Sequence, residues 1–164
     1  MNCIPILFDY SFAVYPRKDG FLARVEIKNG RLLAAFEEDE WAFYGVEPAG
    51  VAGQAEGPQA AFEEFKQGLS AVADAYALES TSFADFKKRL TTFLGQVNED
   101  FFHSWAAAVA DVKSGKLDLP IPRRDSAVAP SFTVDCIRTA KPQNALAEVQ
   151  SAQVARASNF ANAA

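Results

Sequence analysis

Four groups of residues in this chain could do chemistry, and each implies a different kind. Asp100 and His103 stand three residues apart, the spacing that puts two metal ligands on one turn of a helix. His103 is the single histidine and no second such pair exists, so it reads as a structural or surface residue. Gly50, Gly53 and Gly57 could present backbone N–H groups to a phosphate. The segment lacks the lysine and hydroxyl of a P-loop, however, and lies among antiparallel strand signals. Arg123-Arg124 could meet a partner's carboxylates; as a lone pair in a loop it reads first as surface. The fourth group is the acidic run Glu37-Glu38-Asp39-Glu40, followed by Trp41. It is either a solvated connection between two strands or a mimic of nucleic-acid phosphate that docks the basic face of another protein. Glu37, Glu38, Asp39, Glu40 and Trp41 are therefore the candidate partner-binding residues. No nucleophile–base pair or metal constellation is legible, so no catalytic residue, cofactor or metal is expected, and the chain is not read as an enzyme.

Composition limits the partners. The formal net charge is −5 over 164 residues, which argues against general affinity for nucleic-acid backbones and suits a basic protein partner. Hydrophobic residues make up 49%, with 14 Phe, ample for one domain with its own core. Cys3 and Cys136 have no metal-ligand spacing and are expected as reduced thiols in a cytoplasmic protein. The N-terminus lacks a basic start and meets Asp9 too soon for a signal peptide, and no apolar run reaches the length of a membrane span.

The elements that must position these residues follow from periodicity. Phe8, Tyr10, Phe12 and Val14 alternate with Asp9, Ser11 and Ala13, as in a strand with one buried face. Asp19-Gly20 and Asn29-Gly30 are hairpin signals on either side of a second strand carrying Phe21, Ala23, Val25 and Ile27 inward. A third strand, Arg31 to Phe36, leads into the acidic run, and Trp41, Phe43 and Val46 form a fourth. The glycine-punctuated stretch from Gly45 to Pro58 reads as a turn, with Pro58 opening a helix whose stripe is Phe62, Phe65, Leu69, Val72 and Tyr76. Ser82 with Asp85 resembles a capping box ahead of a second helix, Phe83 to Val97. Asn98-Glu99-Asp100 marks a kink or a new helix start, and Ser114-Gly115 ends the helical region. An extended Leu-Pro-Ile-Pro loop precedes a late strand over Phe132–Ile137. From residue 141 on, the chain is an alanine-rich helix or flexible tail, and its last residues are similar to the alanine-ending tags that bacterial AAA+ proteases recognise. The helical rings (Phe62, Phe65, Phe83, Phe86, Phe93, Phe101, Phe102, Trp105) outnumber what one sheet face covers, and the surplus would suit a dimer seam or partner groove.

Asp19-Gly20, then Pro48-Ala49-Gly50-Val51, then Glu56-Gly57-Pro58-Gln59-Ala60-Ala61-Phe62, with a Leu-Pro-Ile-Pro loop and a late strand, resembles the HicB family of antitoxins and their orphan relatives. The resemblance covers about half the chain. Val51 stands where the family usually has cysteine, Gly57-Pro58 replaces an Asp-Thr helix cap, and residues 29–41 and the later helices would be insertions. The resemblance implies a partial ribonuclease-H-like fold without that enzyme's activity, and a cytoplasmic protein that masks a small basic RNA-cleaving toxin. The family's C-terminal DNA-binding unit has no counterpart pattern after Arg138.

The expected architecture is thus one α+β domain over residues 1–140, with a helical insertion at about 79–114. An antiparallel meander of about four strands plus a late strand would be covered on one face by two or three amphipathic helices. Two functions are carried forward: a HicB-like antitoxin or orphan regulator, and a homo-oligomeric structural or accessory protein without a toxin.

Overall fold

Alternating apolar residues make the N-terminal third extended, and the strands close into one antiparallel sheet. The computed structural model describes residues 3–15, 20–119 and 124–139. The predicted turn at residues 16–19, the prolines of the 120–123 loop and the segment 141–164 lie outside them. In chain order the elements are β1 (Ile4–Val14), β2 (Phe21–Glu37), β3 (Glu40–Glu47), β4 (Ala49–Ala55), α1 (Pro58–Glu79), α2 (Phe83–Leu94), α3 (Glu99–Lys113) and β5 (Ser131–Thr139). The sheet order is β1-β2-β3-β4, with β5 also paired to β2, so the architecture is α+β.

Two expectations about the meander are corrected. Asn29-Gly30 does not reverse the chain: β2 runs straight through it for 17 residues. Asn29 takes its positive φ of 55° within a bulge, where the β1 register slips between Phe8 and Tyr10. The Asp9 carboxylate accepts the Asn29 N–H at 2.8 Å, so the left-handed residue is anchored across the strands rather than turned. The second correction concerns residues 45–58. Glu47 and Pro48 alone make the reversal, between the paired Val46 and Ala49, and Ala49–Ala55 is a strand paired to β3. Gly45 and Gly53 serve packing, whereas Gly50 takes a positive φ of 79°. A Cβ on Gly53 would lie 2.2 Å from the Ala61 carbonyl oxygen and 2.4 Å from the Phe65 nitrogen, so α1 sits almost backbone to backbone on β4.

That close seat rotates the helix. Its most buried line is Ala61, Phe65, Leu69, Ala73 and Ala77, with small residues nearest the sheet, while Phe62, Val72 and Tyr76 flank it. Ser82 caps α2 by accepting the Asp85 N–H at 3.1 Å, and the Asp85 carboxylate accepts from Thr81 N–H. Asn98 starts a separate helix, its side chain accepting the Phe101 N–H at 3.1 Å.

α1 and α2 cover one face of the sheet, over a core that includes Phe8, Val25, Phe43, Phe65, Phe86 and Leu90. The connection after α2 then wraps the end of the sheet. Ala49 N–H donates to the Gln96 carbonyl, and Asn98 N–H donates to the Val46 carbonyl, so residues 96–98 are clasped to the β3–β4 reversal. α3 consequently lands on the opposite face, where Trp105 closes a second core on Leu33 and Val46. This second core accommodates the surplus rings, since Phe101, Phe102 and Trp105 are taken up by a face that the sequence pattern left open.

Candidate functional site

The acidic run forms the tip of the β2–β3 hairpin. Glu37 faces Glu40 across the ladder, and Glu38 and Asp39 alone make the loop, with φ of 50° and 70°. Both central residues of this two-residue turn are left-handed, the primed geometry that matches strand twist and that Asn-Gly fills most easily. Here two acids hold it, next to a like-charged cross-strand pair, an arrangement that local stability disfavours. Changing Glu38→Asn together with Asp39→Gly should raise the unfolding free energy by about 1 kcal/mol in urea titrations. No gain would mean that the tip carries no local cost.

The five predicted residues do not point together. Because cross-strand partners share a face, Glu37 and Glu40 lie on one side of the hairpin and Phe36 and Trp41 on the other. Glu37 leans towards α3, where its carboxylate accepts the Tyr44 hydroxyl at 3.0 Å. Burial raises the Tyr44 pKa above the usual phenol value, and the Glu37 hydrogen bond and charge raise it further. Glu38 and Asp39 are exposed at the apex. None of the four acids has an ion-pair partner among the described residues. On the other side Trp41 is half-buried against the main core, and Phe36, edge-on to it at 5.7 Å, is 56% exposed. In the sequence Phe36 is simply the last residue of the strand expected over Arg31 to Phe36; its place at the hairpin tip leaves it in water.

The other sequence candidates are dispersed. His103 is exposed on α3, and among the described residues no three His, Cys, Asp or Glu side chains gather into a metal-binding group. Arg124 is engaged in the fold: its Nη2 donates to Asp9 at 3.0 Å and to Asn29 Oδ1 at 2.8 Å, tying the approach to β5 to the β2 bulge. The Asp9 carboxyl is held below its ordinary range chiefly by the Asn29 N–H, with Arg124 adding to it.

A charged pair that the sequence did not flag lies under α3. Arg31 and Glu47 meet at 3.0 Å with each side chain only 15% exposed. The guanidinium also stacks within 5.4 Å of Phe102 and 5.1 Å of Trp105. Burial pushes the Glu47 carboxyl above 4.5, against the opposing pull of Arg31. Adjacent β-strand positions and an i, i+3 helical pair create this cluster, and it needs α3 on the second face to exist.

Comparison of the chain with family models, with curated proteins and with solved structures finds no match. Among the described residues no helix is long and apolar enough to cross a membrane.

Proposed function

We propose that the chain is a non-enzymatic protein–protein interaction module, a HicB-like antitoxin or orphan regulator, whose hairpin tip docks a small basic RNA-cleaving toxin and masks its RNA surface. The carrying observation is the tip itself: four carboxylates without described counter-charges, held on a two-residue left-handed loop beside the exposed ring of Phe36. Acids in that position steer a basic partner, and the ring supplies apolar area at the contact. The meander followed by a helix laid across it is the arrangement that the HicB resemblance implies, and the cytoplasm is the compartment that goes with it.

A tagged chain captured from its native cells and eluted with rising salt should release a stoichiometric small basic protein that mass spectrometry identifies. The Glu38→Lys, Asp39→Lys, Glu40→Lys variant should recover little of it while keeping the parent's circular dichroism. Recovery of the bait alone at every salt concentration, with the bait folded, rejects the reading. A second reading, a homo-oligomeric accessory protein, is favoured by the outer edge of β1, which has no strand partner among the described residues. Light scattering that shows a salt-resistant oligomer would select it.

A further inference from the structure

The second face of the sheet holds a cavity of about 220 Å³ between α3, the first half of β1 and the approach to β5. Its walls are apolar, chiefly Leu7, Trp105, Val109 and Val112, and its charged lining residues are Lys113 and Arg124. No carboxylate is among the described lining residues, although acids outnumber cations 21 to 16 in the chain. Both cations are exposed, so they stand at the mouth, whereas Trp105 is 4% exposed and forms the inner wall. Arg124 spends Nη2 on Asp9 and Asn29, and its Nε and Nη1 have no acceptor among the described residues. Lys113 has no ion-pair partner there either. The buried indole N–H of Trp105 likewise lacks an acceptor among the described residues. Such a donor is normally satisfied by protein, water or ligand.

We infer that this cavity binds a small amphipathic anion, a carboxylate or sulfonate with an aliphatic or aromatic body, whose body lies against Trp105 and Val109 and whose charge meets Lys113 and Arg124 at the mouth. The volume corresponds to about seven waters' share of liquid, enough for a compact body of that class. The site is separate from the hairpin tip: it is built from α3 and β1, and its charge is opposite. It does not depend on the antitoxin reading.

The test uses 8-anilinonaphthalene-1-sulfonate as the anion and N-phenyl-1-naphthylamine, which lacks the sulfonate, as the neutral control. In the Trp41→Phe chain Trp105 is the remaining tryptophan, so energy transfer from it to the probe reports binding, and the response to Lys113→Glu places the probe at this cavity. The sulfonate should bind saturably with one site per chain, decanoate should displace it, and Lys113→Glu should weaken it by about fivefold, the upper end for an interaction with one exposed charge. Calorimetry on the chain with both tryptophans should return the same stoichiometry, which keeps the test valid if Trp41→Phe is poorly folded. Equal affinity for the neutral probe, an unsaturable signal, or affinity unchanged by Lys113→Glu with the fold intact would overturn the assignment.

Discussion

Gly53→Ala should lower the unfolding free energy by about 3 kcal/mol, the upper end for overpacking, because the new methyl meets backbone rather than a side chain that can swing aside. At 2.2 Å from the Ala61 carbonyl oxygen and 2.4 Å from the Phe65 nitrogen, it can be accommodated only by lifting the first turns of α1 off β4. Phe65 would then lose its seat. It is fully buried and edge-on to Phe8 at 5.4 Å, so the displacement spreads into the main core. Gly57→Ala is the matched control. Its Cβ would meet nothing within 4 Å, and the backbone there is extended at φ −117°, so it should stay within about 0.5 kcal/mol of the parent. Urea titrations of the two variants decide the matter: equal midpoints would refute the backbone-to-backbone seat.

The second large effect concerns the pair beneath α3. Arg31→Met should cost about 3 kcal/mol, the lower end for breaking a buried ion pair, since both side chains keep some contact with water. The loss should concentrate on α3, whose Phe102 and Trp105 lie against the guanidinium, and hydrogen exchange should show its amides opening ahead of α1. The pH dependence has a definite sign. The Glu47 carboxyl titrates higher in the folded chain than its ordinary 4.5. Between those two values the folded state holds more protons than the unfolded state, so stability falls as pH rises from about 4.5 through the folded value. Glu47→Gln should flatten that part of the stability profile. A slope unchanged in Glu47→Gln would assign it to other groups.

Much of the fold was legible because its signals are local. The Ser82 cap, the Asn98 start, the Gly115 stop and the alternation of Phe21, Ala23, Val25 and Ile27 each need only a few neighbouring residues, and each lies where periodicity put it. What failed was decided across strands or across faces. Asn29-Gly30 carries a sound hairpin signal; the side chain of Asp9, twenty residues earlier, converts it into a bulge. The line Ala61, Ala73, Ala77 looked weaker than the aromatic stripe beside it, because its purpose is proximity to Gly53 on another element. No periodicity assigns α3 to the far face; two backbone hydrogen bonds from residues 96–98 to the β3–β4 reversal do so. The acidic run was found by composition alone, whereas its division into a carboxylate side and an aromatic side required the register Phe36↔Trp41 and Glu37↔Glu40.

The end-to-end sharing of one β2 edge sets an order of events during synthesis. Arg31–Glu37 receives β3 within a few residues, but Phe21–Lys28 must wait for Ser131–Thr139. At ordinary ribosomal speeds that interval is roughly 5–20 seconds, far longer than a hairpin takes to close. Throughout it the nascent chain presents an open strand edge to its neighbours. Arg24, Glu26 and Lys28, on the solvent side of that strand, make pairing with a foreign strand unfavourable until the native latch is translated.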